Sequence, residues 1–71
     1  MIKTKYDWSN IPKEVKWIAT DANGYAWYWH TKPKIDGDEW ITGKSYVGDF
    51  ISIDDNPYKG DWQDSLEERP N

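Results

Sequence analysis

The chain lacks cysteine and has only one histidine, His30, one arginine, one phenylalanine and one leucine. Without cysteine, disulfides and thiolate metal centres are excluded, and a histidine-based metal centre would need carboxylates for its other ligands. No stretch approaches the roughly 18 apolar residues of a membrane-spanning helix, and the start of the sequence shows no signal peptide. The sequence therefore predicts a cytoplasmic protein with no cofactor and no bound metal.

Aromatic residues supply what the other apolar types do not. The 71 residues include six Trp and five Tyr, and each large ring buries roughly 150–250 Å². A chain of this length forms one domain, residues 1–71, and buries only about 60% of its unfolded surface. Packing of indoles must therefore stabilise the fold, and the predicted core consists of Trp8, Trp17, Trp27, Trp29, Trp40, Ile51 and Trp62.

Charge is distributed unevenly along the sequence. Residues 1–34 carry six lysines and three acids, a net charge of +3, whereas residues 35–71 carry ten acids and three basic residues, a net charge of −7. Such asymmetry is compatible with a two-signed interaction surface. It is equally compatible with a solvated surface on which the two halves pair across the fold, because charge balance reports on solubility and association.

The clearest local pattern is a β-hairpin. The β-prone residues 16–20 and the aromatic residues 25–31 flank Asn23-Gly24, and Asn-Gly between such runs is a strong hairpin signal. Because side chains alternate along a strand, Trp27 and Trp29 share one face and Tyr28 and His30 the other. We expect Trp27 and Trp29 to face the core, with Tyr28 and His30 on the opposite, wetter face.

The remaining segments extend this pattern. Asp36-Gly37 predicts a second turn, residues 39–42 a short strand, and residues 45–53 a last strand with a bulge or close approach at Gly48. Asp61 is placed to cap one or two helical turns near the C-terminal end, where Trp62 and Leu66 would pack on the sheet. The expected fold is mainly β, an antiparallel meander of three to four strands with a short C-terminal helix, with an α+β arrangement as the alternative.

Candidate catalytic groups are few. The acids cluster in predicted turns, where Asp is favoured for local backbone hydrogen bonding, and a chain this short has little material for a substrate cleft. The motifs at residues 21–24 and 36–39 do not complete a calcium-binding loop, and His30 has no recognisable relay partner. We therefore expect a protein that is not an enzyme.

The sequence offers two nucleic-acid hypotheses. Tyr28, flanked by Lys32 and Lys34, could stack on unpaired bases, but the chain is net acidic with one Arg, and phosphate neutralisation carries much of such affinity. The reverse hypothesis is that the acidic half imitates a phosphate backbone, but the charge density of that half is modest. Nucleic acid is thus not the expected partner.

Several stretches resemble short, Trp-rich proteins of tailed bacteriophages and prophages. The segments that carry the resemblance are residues 6–12, residues 17–24, the aromatic strand ending in Lys32-Pro33, and the tail motif W-x-D-S-L-x-x-R-P at residues 62–70. The likeness spans nearly the whole chain and includes no catalytic motif. That group has no assigned activity, so the resemblance implies a setting, the cytoplasm of an infected bacterium, and transfers no functional residues.

From these observations we expect a phage-encoded protein–protein interaction module, an inhibitor or modulator of a host protein such as a defence protein. Its partner is not identified by the sequence, and self-association into a homo-oligomer stays open. The alternatives are a nucleic-acid-binding accessory protein and a small structural or virion component. The candidate partner-binding residues are Tyr28, His30, Asp36, Asp38, Glu39, Asp54 and Asp55.

Overall fold

The computed structural model describes residues 4–43 and 49–70. Within them the chain forms six short strands and two single 3-10 turns, and no α-helix. The strands are β1 (Trp17–Thr20), β2 (Ala26–Trp29), β3 (Lys34–Asp36), β4 (Glu39–Ile41), β5 (Phe50–Ile51) and β6 (Glu67–Glu68), and the 3-10 turns are Trp8–Asn10 and Trp62–Asp64.

Strands β1 and β2 form the predicted hairpin, with Trp17 opposite Trp29 and Thr20 opposite Ala26. The tight reversal between them depends on Gly24, whose φ of +93° is a left-handed conformation that glycine adopts without a Cβ clash. The Asn23 side chain accepts a hydrogen bond from the Tyr25 amide at 3.0 Å. The Asn-Gly signal thus places both the turn and the register of the pair.

The strands make two antiparallel sheets. One has the order β5-β2-β1-β6, and the other contains β3 and β4 alone, joined by a turn at Gly37 with φ +67°. The predicted antiparallel, mainly β fold is confirmed. The order is not a simple meander, because β6 returns from the far end of the sequence to pair with β1. Of the predicted strand 45–53, residues 45–48 lie outside the described residues, and Phe50–Ile51 is strand.

The four-stranded sheet buries both of its faces. On one, Ile18 and Tyr28 pack with Tyr6 and Val15, and we call this the tyrosine face. On the other, called the indole face, Ala19 packs in a cluster of indoles. The buried indoles of this face are Trp29 and Trp40, and the half-buried side chains packed against them are Trp17, Trp27, Trp62 and Leu66.

The prediction that Tyr28 lies on a wet surface is wrong, because both faces of the sheet are buried. Tyr28 is only 8% exposed and belongs to the core of the tyrosine face. The predicted pairing of Trp27 with Trp29 on one core face is confirmed. Of the predicted core, Trp29 and Trp40 are buried and the others are half-buried, while the fully enclosed side chains are smaller, such as Val15 and Ile18.

The helix in the C-terminal segment is also shorter than predicted. Asp61 caps it as expected, accepting from the Gln63 amide at 3.0 Å, but the helix is the single 3-10 turn. Ser65 ends it, because its buried hydroxyl accepts the Thr20 amide at 2.7 Å and its carbonyl accepts the Tyr6 hydroxyl at 2.9 Å. The chain then pairs with β1 as β6, which gives its backbone partners that so short a helix lacks.

Contacts between the two ends of the described chain close the tyrosine face. The Glu67 carboxylate accepts hydrogen bonds from the Lys5 amide at 2.9 Å and the Trp8 indole at 2.8 Å. Arg69 donates through Nε to the Val15 carbonyl at 2.7 Å, and its guanidinium carbon lies 4.8 Å from the centre of the Trp8 ring. Burial raises the pKa of the Tyr6 hydroxyl to about 12, so this hydroxyl stays protonated and donates to the Ser65 carbonyl.

Candidate functional site

The β1–β2 turn, residues 21–25, is the point on which two acidic turns converge. On one side the Ala22 amide donates to the Asp38 carbonyl at 3.1 Å, which joins it to the β3–β4 turn. On the other the Asn56 side chain donates to the Gly24 carbonyl at 3.0 Å. Three segments far apart in sequence are thereby held at one end of the sheet.

The first acidic turn is the tip of the β3–β4 hairpin. Asp36, Asp38 and Glu39 are all exposed there. Strand β3 is exposed along its whole length, and Ile35 is 40% exposed. The hairpin therefore presents three carboxylates beside an apolar side chain.

The second acidic turn follows β5. Asp54 and Asp55 are exposed, and the Ser52 hydroxyl donates to the Asp55 carboxylate at 3.2 Å. Ile53 belongs to this turn, and its side chain covers Gly24 so closely that a Cβ on Gly24 would sit 2.6 Å from Ile53 Cδ1. Ile53 is nevertheless 47% exposed, so this turn also combines acids with an accessible apolar group.

We call this region the acidic end, defined by Asp36, Asp38, Glu39, Asp54 and Asp55 around the β1–β2 turn. Two lysines partly offset the negative charge of this region. Lys34 is exposed in β3, and the Lys59 ammonium lies 3.4 Å from the Ile53 carbonyl. The five acids outnumber these lysines, so the acidic end has a negative net charge.

The two remaining candidate residues lie elsewhere. Tyr28 is buried in the tyrosine face, and its hydroxyl pKa is raised, chiefly by that burial. His30 is exposed, and its Nδ1 lies 3.1 Å from the Glu14 carbonyl, which can only accept, so Nδ1 carries the proton in this contact. The structure thus brings together five of the seven predicted contacts and separates these two from them.

A cavity of about 270 Å³ adjoins the acidic end on the indole face. It shares Glu39 with the acidic end, and we call it the indole pocket. Its walls include Asp21, Trp27, Trp29, Glu39, Trp40 and Ile41.

Asp21 is the pocket's distinctive group. Asp21 is 9% exposed, and its carboxylate accepts a hydrogen bond from the Trp40 amide at 2.9 Å. Burial raises the pKa of this carboxyl, and the nearby charge of Glu39 raises it further, while the Trp40 amide and the Trp27 indole lower it. From the sequence Asp21 is predicted only as a turn residue. Its position directly after β1, which pairs with the indole-rich β2, is the signal that could have indicated a role in the pocket.

The comparisons add no family to these observations. No family model, curated protein or solved structure matches this chain. Among residues 4–43 and 49–70, no helix has the length and apolar character to cross a membrane, and no three or more acidic, histidine or cysteine side chains are grouped as metal ligands. The geometry of the acidic end and of the indole pocket therefore carries the functional argument.

Proposed function

We propose that this chain is a protein–protein interaction module whose acidic end docks on a basic surface of another protein. In the setting that the phage resemblance implies, the partner is a protein of the host bacterium, such as a defence protein, which the module inhibits or modulates in the cytoplasm. The observation that carries the proposal is that two exposed acidic turns are bonded to one β-turn, because this brings residues separated along the sequence to one end of the sheet.

The composition of the acidic end suits a protein partner. Charged groups at the rim of an interface steer association and exclude wrong partners, while accessible apolar groups contribute burial. Ile35 and Ile53, 40% and 47% exposed, supply apolar surface next to the carboxylates. A surface with both features fits a partner whose basic residues surround an apolar depression.

Burial of Tyr28 weighs against the nucleic-acid alternative. That hypothesis required the Tyr28 ring to stack on a base, and a ring 8% exposed offers no face for stacking. Of its two flanking lysines, Lys32 lies over the Trp17 ring, with Nζ 5.6 Å from the ring centre. The acidic end would in addition repel phosphates.

Self-association as a structural component has one observation in its favour. Strand β5 lies at the edge of the four-stranded sheet, and Phe50 on it is 44% exposed. Edge strands with apolar side chains can pair with another copy. Light scattering separates the two functions, since a stable oligomer at micromolar concentration would favour the structural role.

The proposal is tested by comparative capture from a bacterial lysate. The immobilised wild-type chain is compared with the triple variant D36N/D38N/E39Q and with the control E14Q/D64N/E68Q. The control removes the same charge at exposed positions outside the acidic end. We expect the wild type and the control to retain the same host protein, with affinity lowered about tenfold or more in the first variant and by added salt.

Two results would contradict the proposal. One is that no host protein is reproducibly retained by the wild type. The other is that the two triple variants retain a protein equally well, since a surface that does not distinguish the acidic end from other acids is not the interface.

A further inference from the structure

The indole pocket is a cavity in which aromatic walls surround a buried carboxylate, with a second carboxylate at its mouth. Asp21 lies inside and Glu39 is exposed at the edge. We propose that this pocket binds the guanidinium group of an arginine side chain that the partner protein inserts. The inference rests on the proposed function, because it names the anchoring contact of that protein interface.

The electrostatics of the pocket favour a cation. Among the described residues, the charge that acts on the Asp21 carboxyl is that of Glu39, which has the same sign. Two carboxylates in a partly desolvated site are unfavourable without a counter-charge, and an arginine would supply it. An ionised carboxylate has about four acceptor sites. The hydrogen bond from the Trp40 amide therefore leaves room for guanidinium donors.

The indole walls favour the same ligand. A cation within about 6 Å of an indole centre is attracted by the negative face of the ring, and Arg forms such contacts more often than Lys. This chain already contains such an arrangement, since the Arg69 guanidinium carbon lies 4.8 Å from the Trp8 ring centre while its Nε donates to the Val15 carbonyl. In the indole pocket, rings and oxygen acceptors are present in the same combination.

The size of the pocket limits its occupant. About 270 Å³ is below the roughly 300–1,000 Å³ of sites that enclose whole small molecules, so it suits the head group of one side chain. Trp29 and Trp40 are each 6% exposed, so the half-buried Trp27 is the indole of this pocket that offers a ring face to a guanidinium. A sugar ring would need a broader exposed indole face than this. A lysine ammonium lacks the planar fork that can pair with carboxylate oxygens while stacking on a ring.

The test uses N-acetyl-arginine amide as the probe and the full chain labelled with ¹⁵N. Six indole N–H signals are expected from six tryptophans. Titration should shift the signals of Trp27, Trp29 and Trp40 in a saturable manner, with a Kd on the order of 1 mM for a probe of this size. The Trp8 indole, bonded to Glu67 on the other face, should not move.

Matched ligands and variants test whether binding depends on the guanidinium charge and on the carboxylates of this pocket. N-acetyl-citrulline amide has the same shape without the charge, and its binding should be at least tenfold weaker. Glu39→Gln should weaken arginine binding by a factor of roughly two to five, as expected for an exposed partner, while Glu14→Gln, which removes the same charge elsewhere, should leave it unchanged. Asp21→Asn should weaken it at least tenfold, with circular dichroism confirming that the variant is folded.

The outcomes distinguish this inference from the proposed function. If citrulline binds as well as arginine, if the shifts are spread over all six indoles, or if Glu39→Gln and Glu14→Gln behave alike, the arginine pocket is overturned. A host protein captured through the acidic end but unaffected by Asp21→Asn would overturn the pocket and leave the interface. Specific arginine binding without any captured protein would support the pocket and count against the interface.

Discussion

The two faces of the four-stranded sheet are built from alternate residues of the same two strands, yet they are closed in different ways. The tyrosine face is sealed by hydrogen bonds that join Thr20 to Tyr6, Asn56 and Ser65. The indole face is covered by wide rings that leave a cavity containing Asp21. One face therefore mainly holds the chain together, and the other retains accessible surface and charge.

This division makes different demands on each face. Enclosed side chains and hydrogen-bonded polar groups hold the tyrosine face together, so changes there cost stability. The half-buried indoles of the other face tolerate more change, since part of their surface is already in water. Stability and recognition are therefore expected to respond to different substitutions.

The largest expected difference between the faces comes from truncating aliphatic side chains. Ile18→Ala on the tyrosine face, where Ile18 is 0% exposed, should lower the free energy of unfolding by about 2–5 kcal/mol. That is a large part of the roughly 4–11 kcal/mol expected for a chain of this length. Urea denaturation should find a smaller loss for Leu66→Ala on the indole face.

Ile35→Ala is the matched control for this comparison. Ile35 is 40% exposed in β3, and its truncation should change stability by less than about 0.5 kcal/mol. Equal losses for Ile18→Ala and Leu66→Ala would show that the two faces contribute alike, and the distinction between them would have to be abandoned.

A smaller effect is expected from the buried hydrogen bonds. Ser65→Ala removes the acceptor of the Thr20 amide, and a buried donor without a partner costs about 1–3 kcal/mol. Ser9→Ala, where the hydroxyl bonds to Asp7 at the surface, should cost less than about 0.5 kcal/mol. Thermal and urea unfolding measure both. If the two serine variants lose the same stability, hydrogen bonds do not distinguish the tyrosine face.

The smallest effect concerns the charge inside the indole face. Because burial raises the pKa of Asp21, the folded chain holds this proton more tightly than the unfolded chain, whose aspartate titrates near 3.8. Its favourable contribution is therefore complete below that pH and is lost as the pH rises through the folded pKa. Relative to wild type, Asp21→Asn should become more stable as the pH rises from acid to neutral.

Asp7→Asn provides a comparison of opposite sign. Hydrogen bonds from the side chain and amide of Ser9 lower the pKa of Asp7, so its contribution is present above the ordinary aspartate pKa and is lost as the pH falls. Urea titrations at several pH values should give opposite slopes for the two variants relative to wild type. Parallel slopes would show that Asp21 does not carry a burial penalty.

Local signals in the sequence were sufficient for the turns and for the first hairpin. Asn23-Gly24 and Asp36-Gly37 both form turns with a glycine at positive φ, because that requirement is set by the backbone of two or three residues. Alternation also grouped Trp27 with Trp29 correctly. Alternation could not show that the opposite face is covered, since much of the cover comes from Tyr6 and Tyr58, which are distant in sequence from the hairpin.

Strand β6 and the candidate site were missed for related reasons. Glu67 and Glu68 have low β-propensity, and they form a strand because the edge of β1 offers backbone partners. Exposed acids in turns were recognisable from composition, but their convergence on residues 21–25 depends on hydrogen bonds between segments. The pocket around Asp21 depends on Trp40 crossing onto the indole face, which no local pattern encodes.

The bonds that join Lys5 and Trp8 to Glu67 have a consequence for how fast the molecule assembles. They connect residues 59–62 positions apart, and closing a loop of about 60 residues costs about 3.6 kcal/mol in chain entropy beyond a constant. The β1–β2 hairpin is local and can form within microseconds, whereas this closure has to wait for a rare encounter of distant segments. We therefore expect refolding in milliseconds to seconds, slow for so short a chain.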